Sequence, residues 1–449
     1  MLEIVAEVIA AVVVSIVIAY VGGRYRALPW AVLLVGVVAA SDATPSAIAY
    51  FGTTAIYPND AFAYILIMSA LPNLAVLLRR RGIVVSALLV SALLLGIEVV
   101  RGVMVYTTPS SLVEFRPFAY AIASLVWMGS IDWSDSRMRR EVRGWLLLAS
   151  VGLLVVATIH LATTGLASSS DFYIDETGIY RSLRPLLGDQ ACILVAGVLV
   201  AAWTWLDSRK GRWLWLTGAL ALVAVLAQQR SAWIALIVGL VVVIFGVDQQ
   251  QRSRLLQLGL VTGFIVFCVV LSGVADAVME QISQSIDAAF GAGSTLIDRT
   301  DGWSELVGRA IDPARADWLF GAPFGTGYAR IGPNGLLETY SPHNFYVQLF
   351  LRSGVLGLLA YLVAVITAIS RLWRGRTAPL EVALAAIALT FCIAYGLQWY
   401  VAPILGVALF LAPRKLRIED GAVLLSRRRE KRSIKSSVSD GATQSGRSA

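Results

Sequence analysis

Long apolar segments separated by short polar breaks constrain this chain more than any other feature of its sequence. A helix needs about 20 predominantly apolar residues to cross the hydrocarbon core of a bilayer, and thirteen segments approach or reach that length. They are 3–22, 28–41, 61–78, 83–100, 117–131, 144–165, 185–206, 213–228, 231–247, 255–275, 343–370, 380–396 and 399–412. Because only 15% of the residues are charged, so much apolar surface cannot be hidden in a soluble core. We therefore predict an all-α polytopic membrane protein with about 12–13 transmembrane helices.

The basic residues are unevenly distributed, and their distribution predicts how the bundle is oriented. Seventeen lie in loops that follow alternate segments and ten lie in the C-terminal tail, so 27 of the 37 share one face. The positive-inside rule makes that face cytoplasmic. The alternation places the N-terminus outside if all thirteen segments cross the membrane, and inside if one of the short segments does not.

The net charge of +8 is concentrated in the tail, where ten basic and four acidic residues follow position 413. A protein that grips nucleic acid carries its basic residues on the fold itself, so we expect no nucleic-acid partner. The serine-rich composition of 413–449 predicts a disordered cytoplasmic tail. The rest of the chain divides into a set of N-terminal transmembrane helices, 1–211, and a core, 212–412, with one long external loop at 276–342.

Arg230 departs most clearly from the cytoplasmic pattern of basic residues. It lies in a very short external break between two long apolar segments, where a cation is costly unless an anion lies nearby. One interpretation is that Arg230 binds an anionic substrate. The other is that it reaches lipid phosphate or caps a helix end.

His343 lies at the external mouth of the bundle, where the long loop ends and a long apolar segment begins. Ser341 or Asn344 is a suitable helix cap there. Histidine is the side chain best matched to proton transfer near neutral pH, so His343 is a candidate general base. The alternative is a histidine that only hydrogen-bonds a loop carbonyl. Counted along a regular helix, Gly354 lies about 20° from the His343 face and would admit another helix.

The long external loop supplies further candidates. Arg299 stands four residues before Trp303, which predicts a helix anchored at the membrane interface. The turn Gly325-Thr326-Gly327 offers backbone N–H groups to a phosphate, with a simple turn as the alternative. The two histidines and the three cysteines, which all lie in apolar runs, form no metal-binding pattern. We therefore expect no metal and no cofactor.

The order of these motifs between about 212 and 412 resembles the O-antigen ligase and Wzy polymerase family of bacterial surface-polysaccharide enzymes. The motifs that carry the resemblance are Arg230-Ser231-Ala232-Trp233, Arg299 with Trp303, Gly325-x-Gly327-Tyr328, and His343-Asn344-x-Tyr346 leading to Gly354. Two positions depart from the family pattern. Gln229 replaces a common serine, and Arg352 replaces a common acidic residue. Helical geometry places Arg352 about 180° from His343, away from the candidate site.

The resemblance implies a GT-C-type glycosyltransferase of the bacterial inner membrane whose active site faces the periplasm. Such an enzyme moves a glycan from undecaprenyl diphosphate to a hydroxyl acceptor, which is lipid A-core for a ligase or another lipid-linked repeat unit for a polymerase. We expect the reaction to be metal-independent and inverting. The resemblance assigns catalysis to His343, Arg230 and Arg299, and substrate binding to Asn344, Tyr346, Gly325, Gly327 and Tyr328. Membrane lipids and polysaccharide-assembly proteins are the other expected partners.

A transporter or flippase for lipid-linked sugars is the alternative function. Such a protein needs ionisable groups deep within its spans, and the apolar segments contain few of them. Glu98 stands three residues before Arg101, which predicts a local ion pair instead of a transport group. A purely structural membrane protein is a third interpretation, but it leaves Arg230 unexplained.

Overall fold

The computed structural model describes residues 2–40, 46–51, 54–79, 82–133, 135–164, 172–174, 180–182, 184–257, 259, 283, 295–311, 317–331, 337–375 and 378–411. The predictions for the tail at 413–449, for most of the apolar segment at 255–275 and for much of the loop at 276–342 lie outside these ranges.

Helices dominate the described part of the chain. In chain order they are α1 (Leu2–Arg24), α2 (Ala27–Val38), α3 (Pro58–Ala70), α4 (Leu74–Arg79), α5 (Ile83–Val105), α6 (Thr108–Ser130), α7 (Ser136–Thr164), α8 (Gly188–Ser208), α9 (Gly211–Leu226), α10 (Arg230–Gly246), α11 (Thr295–Ala310), α12 (Asp317–Phe320), α13 (Phe345–Gly375), α14 (Pro379–Phe391) and α15 (Ala402–Phe410). Short antiparallel hairpins pair β1 (Ala49–Phe51) with β2 (Thr54–Ile56), β3 (Phe172–Ile174) with β4 (Tyr180–Ser182), and β5 (Arg330–Ile331) with β6 (Leu337–Glu338).

The predicted class, an all-α polytopic membrane protein, is confirmed. Within the described ranges, five helices are long and apolar enough to cross a membrane: Pro58–Leu77, Ile83–Val105, Arg137–Thr164, Gly188–Ser208 and Phe345–Gly375. Three shorter apolar helices, α9, α10 and α14, accompany them. The number of 12–13 transmembrane helices stays a prediction.

The first two apolar segments form a bent pair. Helices α1 and α2 meet at 98° across a two-residue break. Such a bend is typical of one broken span or a re-entrant loop and not of two full crossings. It agrees with the expectation that one of the short segments does not cross the membrane.

Helix α8 is deeply buried and packs against α7, α9, α10 and α14. Gly197 of α8 lies against the Ser150 side chain of α7 so closely that a methyl group would not fit. The Ser150 hydroxyl donates to the carbonyl of Ile193 over 3.2 Å. Small residues of this kind let apolar helices approach closely, so α8 forms a rigid support for the loops at its ends.

The two sets of loops predicted on opposite sides of the membrane lie at opposite ends of α14. Near its start, Glu381 pairs with Arg143 of a predicted cytoplasmic loop at 2.9 Å. Beyond its end, the carbonyl of Cys392 accepts a hydrogen bond from the backbone N–H of Phe345, two residues after His343. The structure therefore separates the two predicted faces, while the compartment that each one faces stays a prediction.

Helix α13 is broken at Gly354, which has a φ of 63° and a ψ of −172°. The backbone of Leu319 and Phe320 in α12 lies against its Cα, where a side chain would not fit. The predicted close approach of another helix is thus observed. The predicted angle between Gly354 and His343 is wrong, because it assumed one regular helix, whereas α13 begins at Phe345 and breaks at Gly354.

We expect Gly354→Ala to destabilise the fold, because a side chain at this positive φ costs about 1–3 kcal/mol and also collides with the α12 backbone. Thermal unfolding in detergent measures the effect. Gly96→Ala in α5 is the matched control, since no atom lies within 4 Å of its added methyl group. Equal midpoints for the two variants would contradict this account of the break.

Candidate functional site

The candidate site lies at the end of the bundle where the α9–α10 turn, the start of α13 and the segment after α14 meet. The backbone N–H of Phe345 donates to the carbonyls of Cys392 and Tyr395 at 2.9 and 3.1 Å. The side-chain oxygen of Asn344 accepts from the N–H groups of Tyr346 and Val347 at 3.0 and 3.1 Å. Of the two predicted caps, Asn344 therefore caps α13, and this cap fixes the backbone next to His343.

Tyr395 is the central contact of the site. Its ring stacks on Phe391 with 4.6 Å between ring centroids and an interplanar angle of 1°. The ring of His343 lies 6.1 Å from it. The guanidinium carbon of Arg299 lies 5.7 Å from the same ring centroid, and Nη1 of Arg299 donates to the carbonyl of Ala394 over 3.4 Å. Tyr395 thus brings two of the predicted catalytic residues, Arg299 and His343, to one place.

Gln229 joins this tyrosine to the α9–α10 turn. The Gln229 side chain is buried, and its Nε2 donates to the carbonyl of Leu186 over 3.0 Å. Its Oε1 accepts from the hydroxyl of Tyr395 at 3.2 Å and from Nη1 of Arg184 at 3.4 Å. The residue that departs from the family pattern therefore links three segments of the chain, directly beside Arg230.

Arg230, the third predicted catalytic residue, faces the same place. Its Nη1 is buried and has no hydrogen-bond partner within the described ranges. The charges of Arg184 and Arg299 both act on its guanidinium. A buried N–H donor of a charged group is costly to leave without a hydrogen-bond partner.

The arginines of the site differ from other arginines at this end of the bundle. Arg101 pairs with Glu98 at 2.7 Å, Arg330 with Glu338 at 2.8 Å and Arg352 with Glu114 at 2.9 Å. Among the residues that the structure describes, no carboxylate lies within ion-pair distance of Arg230 or Arg299. The described part of the chain therefore gives Arg230 and Arg299 no partner of the kind that these three arginines have.

His343 lies outside the membrane-spanning segment and remains accessible at the surface of the site. Loss of hydration, followed by the positive charges of Arg299 and Arg330, lowers its pKa to about 4. The imidazole is therefore neutral near pH 7 and has a ring nitrogen able to accept a proton. The ring centroids of Tyr340 and His343 lie 5.9 Å apart.

The structure places the other predicted substrate-binding residues in structural contacts. The Tyr346 hydroxyl donates to the carbonyl of Leu389 over 2.9 Å. The backbone N–H of Gly325 donates to a carboxylate oxygen of Glu114 over 2.6 Å, so this amide already has an anionic partner. Their roles in substrate binding stay predictions.

The turn at Gly325–Gly327 is held by Arg352, which sequence reasoning had placed away from the site. The Arg352 side chain is buried and donates through Nη2 to the carbonyl of Gly327 over 2.9 Å. Its guanidinium carbon lies 4.6 Å from the ring centroid of Tyr328. Arg352 therefore fixes the described part of the predicted external loop 276–342, here called the external segment, on α13. Tyr328 is part of that support.

Sequence reasoning missed Tyr395 and Arg184. Arg184 carried a usable signal, because it is a second basic residue at the external start of an apolar helix, like Arg230. Tyr395 carried none, since it reaches the site through contacts distant in sequence.

Residues 215–362 match a family model described as O-antigen ligase. The match covers about a third of the chain and includes Arg230, Arg299 and His343 but neither Arg184 nor Tyr395. The match agrees with the resemblance seen in the motifs over that part of the chain. No curated protein and no solved structure matches the chain.

We expect His343 to titrate near pH 4, and Arg299→Gln to move its pKa upward toward the usual 6.5, because the substitution removes a nearby positive charge. A His160→Asn background leaves His343 as the one histidine, and NMR of labelled histidine follows its titration. Arg309→Gln, at an exposed position of α11, is the control and should leave the pKa unchanged. A wild-type value near 6.5 would overturn this description of the site.

Proposed function

We propose that this protein, whose residues 215–362 match a family model described as O-antigen ligase, is a glycosyltransferase of the bacterial inner membrane. It moves a glycan from undecaprenyl diphosphate to a hydroxyl group of lipid A-core or of another lipid-linked repeat unit, on the periplasmic face. The observation that carries the proposal is the buried Nη1 of Arg230, which has no partner in the described part of the chain and lies beside Arg299 and a neutral His343.

In the proposed reaction, Arg230 and Arg299 bind the diphosphate of the donor. A guanidinium group is always charged and presents paired N–H donors that match phosphate oxygens. The site lies at the end of an apolar bundle, where such contacts are stronger than in water. The two arginines thereby stabilise the negative charge that develops on the leaving group.

His343 accepts the proton of the acceptor hydroxyl. The acceptor oxygen bonds to the anomeric carbon as the bond from that carbon to the diphosphate oxygen breaks, and the electron pair of the broken bond stays on the diphosphate. A single displacement inverts the anomeric centre. Because a bound diphosphate offsets the charges of Arg299 and Arg330, it raises the pKa of His343 and makes the imidazole a stronger base when the donor is present.

An apolar cavity below the site supports the placement of the lipid. It has a volume of about 110 Å³ and lies between α5, α6, α13 and α15. Its lining includes Phe345 and Leu397, which follow His343 and Tyr395 by two residues. We place the first isoprenyl units of the donor here, with the diphosphate at the mouth beside Arg230.

The rival function, transport of a lipid-linked sugar, lacks a supporting observation of its own. Glu98 in α5 pairs with Arg101 at 2.7 Å, as predicted from their spacing. Arg101 also lies 3.8 Å from Asp317 of α12. The carboxylate within this span is thus engaged in a contact that fastens the external segment to the bundle.

We expect His343→Ala to lower glycan transfer by about 10²- to 10⁴-fold, as for loss of a general base. Arg230→Ala and Arg299→Ala should each lower it by about 10²- to 10³-fold, because each removes charge stabilisation of the leaving group. The assay uses an undecaprenyl-linked glycan in proteoliposomes, at matched levels of membrane protein. Arg309→Gln is the control.

Wild-type transfer by all three alanine variants would refute the proposal. Movement of the lipid-linked glycan between leaflets without glycan transfer would instead identify a flippase.

We expect EDTA to leave transfer intact, because the two arginines supply the positive charge that a divalent cation provides in other phosphate-handling enzymes. The measurement compares initial rates before and after dialysis against the chelator. Loss of activity with recovery on addition of Mg²⁺ would show that a metal takes part, and the metal-independent mechanism would then be wrong.

A further inference from the structure

We infer that Arg184 is a third diphosphate-binding residue, and that its charge stabilises the departing diphosphate more than it stabilises the bound donor. The inference rests on the proposed function. It adds a residue outside the matched stretch 215–362. It assigns that residue a role in the reaction, beyond holding the headgroup of a lipid.

The position of Arg184 is fixed from two directions. It lies in the short connection between β4 and α8. Its Nη1 donates to Oε1 of Gln229, and Nε2 of Gln229 donates to the carbonyl of Leu186, two residues after Arg184. Because Gln229 directly precedes Arg230, these two hydrogen bonds hold the Arg184 connection beside the Arg230 guanidinium.

The electrostatics of the site agree with this placement. Of the charges that act on Arg230, that of Arg184 has the largest effect and that of Arg299 the next largest. Three neighbouring positive charges attract a ligand that carries several negative charges, and a diphosphate meets that requirement.

The reaction itself calls for a third positive charge. The donor is a diphosphate diester with about two negative charges, whereas the released undecaprenyl diphosphate is a monoester whose terminal phosphate, with a second pKa of about 6, brings the total to about three. The additional charge appears as the bond between the anomeric carbon and the diphosphate oxygen breaks. A residue that stabilises this additional negative charge raises kcat more than it lowers KM.

Gln229 is suited to hold such a residue in place. The family's common serine is too short to bond both the Leu186 carbonyl and the Arg184 guanidinium, whereas the longer amide reaches both, at 3.0 and 3.4 Å. Its Oε1 also accepts from Tyr395, which contacts Arg299. The departure at position 229 and the presence of Arg184 are thus parts of one arrangement.

The test compares wild-type protein with Arg184→Gln and Arg184→Lys, full length and in proteoliposomes. It measures kcat and KM for an undecaprenyl-linked glycan, and the inhibition constant of the product undecaprenyl diphosphate. For Arg184→Gln we expect kcat about 10- to 100-fold lower and the inhibition constant higher by a similar factor, as for loss of a charged hydrogen bond. We expect KM to change much less. Arg184→Lys keeps the charge without the paired donors. Its kcat and inhibition constant should lie between those of wild type and of Arg184→Gln.

The control variant is Arg309→Gln, which makes the same change at an exposed position on the external segment and should match wild type. Undecaprenyl monophosphate is the control inhibitor, and its inhibition constant should shift less than that of the diphosphate. If Arg184→Gln does not fold, Arg184→Lys decides the question, because an unchanged inhibition constant for the diphosphate would then overturn the inference.

The inference also fails if Arg184→Gln keeps the wild-type kcat and product inhibition, or if it raises KM alone. In that outcome Arg230→Ala and Arg299→Ala would still abolish transfer, so the proposed function would stand. The reverse outcome, in which those two variants retain full transfer, would refute the proposed function itself.

Discussion

The hydrogen bonds of the buried Gln229 side chain hold the site together. One amide connects the start of α8, the α9–α10 turn and the segment after α14, through Leu186, Arg184 and Tyr395. Since each of these segments carries or contacts one of the site arginines, the spacing of the positive charges depends on this one group. Rigid support of this kind keeps the groups of a site at fixed distances from one another.

Arginines of two kinds lie at the same end of the bundle. One kind pairs with a carboxylate and supports the fold, and the other belongs to the candidate site. Arg101 and Arg352 are paired with Glu98 and Glu114, and both fasten the external segment to α5, α6 and α13. Breaking the buried Arg352–Glu114 pair would be strongly destabilising, because it would leave one charge without compensation. The site arginines Arg230 and Arg299 have no such carboxylate within the described ranges. The external segment is thus held in place without using the charges that a substrate would need.

The sequence predicted the features that depend on composition and on local position. Apolar runs predicted the membrane class, and the exceptions to the positive-inside pattern led to Arg230 and Arg299, which the structure brings to one place with His343. It could not predict contacts between distant residues, such as that of Tyr395 with Gln229. The break at Gly354 was also missed, because a glycine in an apolar run is compatible with a regular helix until the α12 backbone lies against it. The bend between α1 and α2 was missed for the same reason, since each segment is apolar along its whole length.

The protonation of His343 is linked to the arginines of the site. Loss of hydration is the main cause of the low pKa of His343, and the positive charge of Arg299 lowers this pKa further. In the proposed reaction, the proton that His343 accepts adds positive charge at the moment when the diphosphate gains negative charge. Each change then stabilises the other, because opposite charges grow together in a site of low polarity. In the proposed reaction, proton transfer and departure of the leaving group are therefore coupled through Arg299.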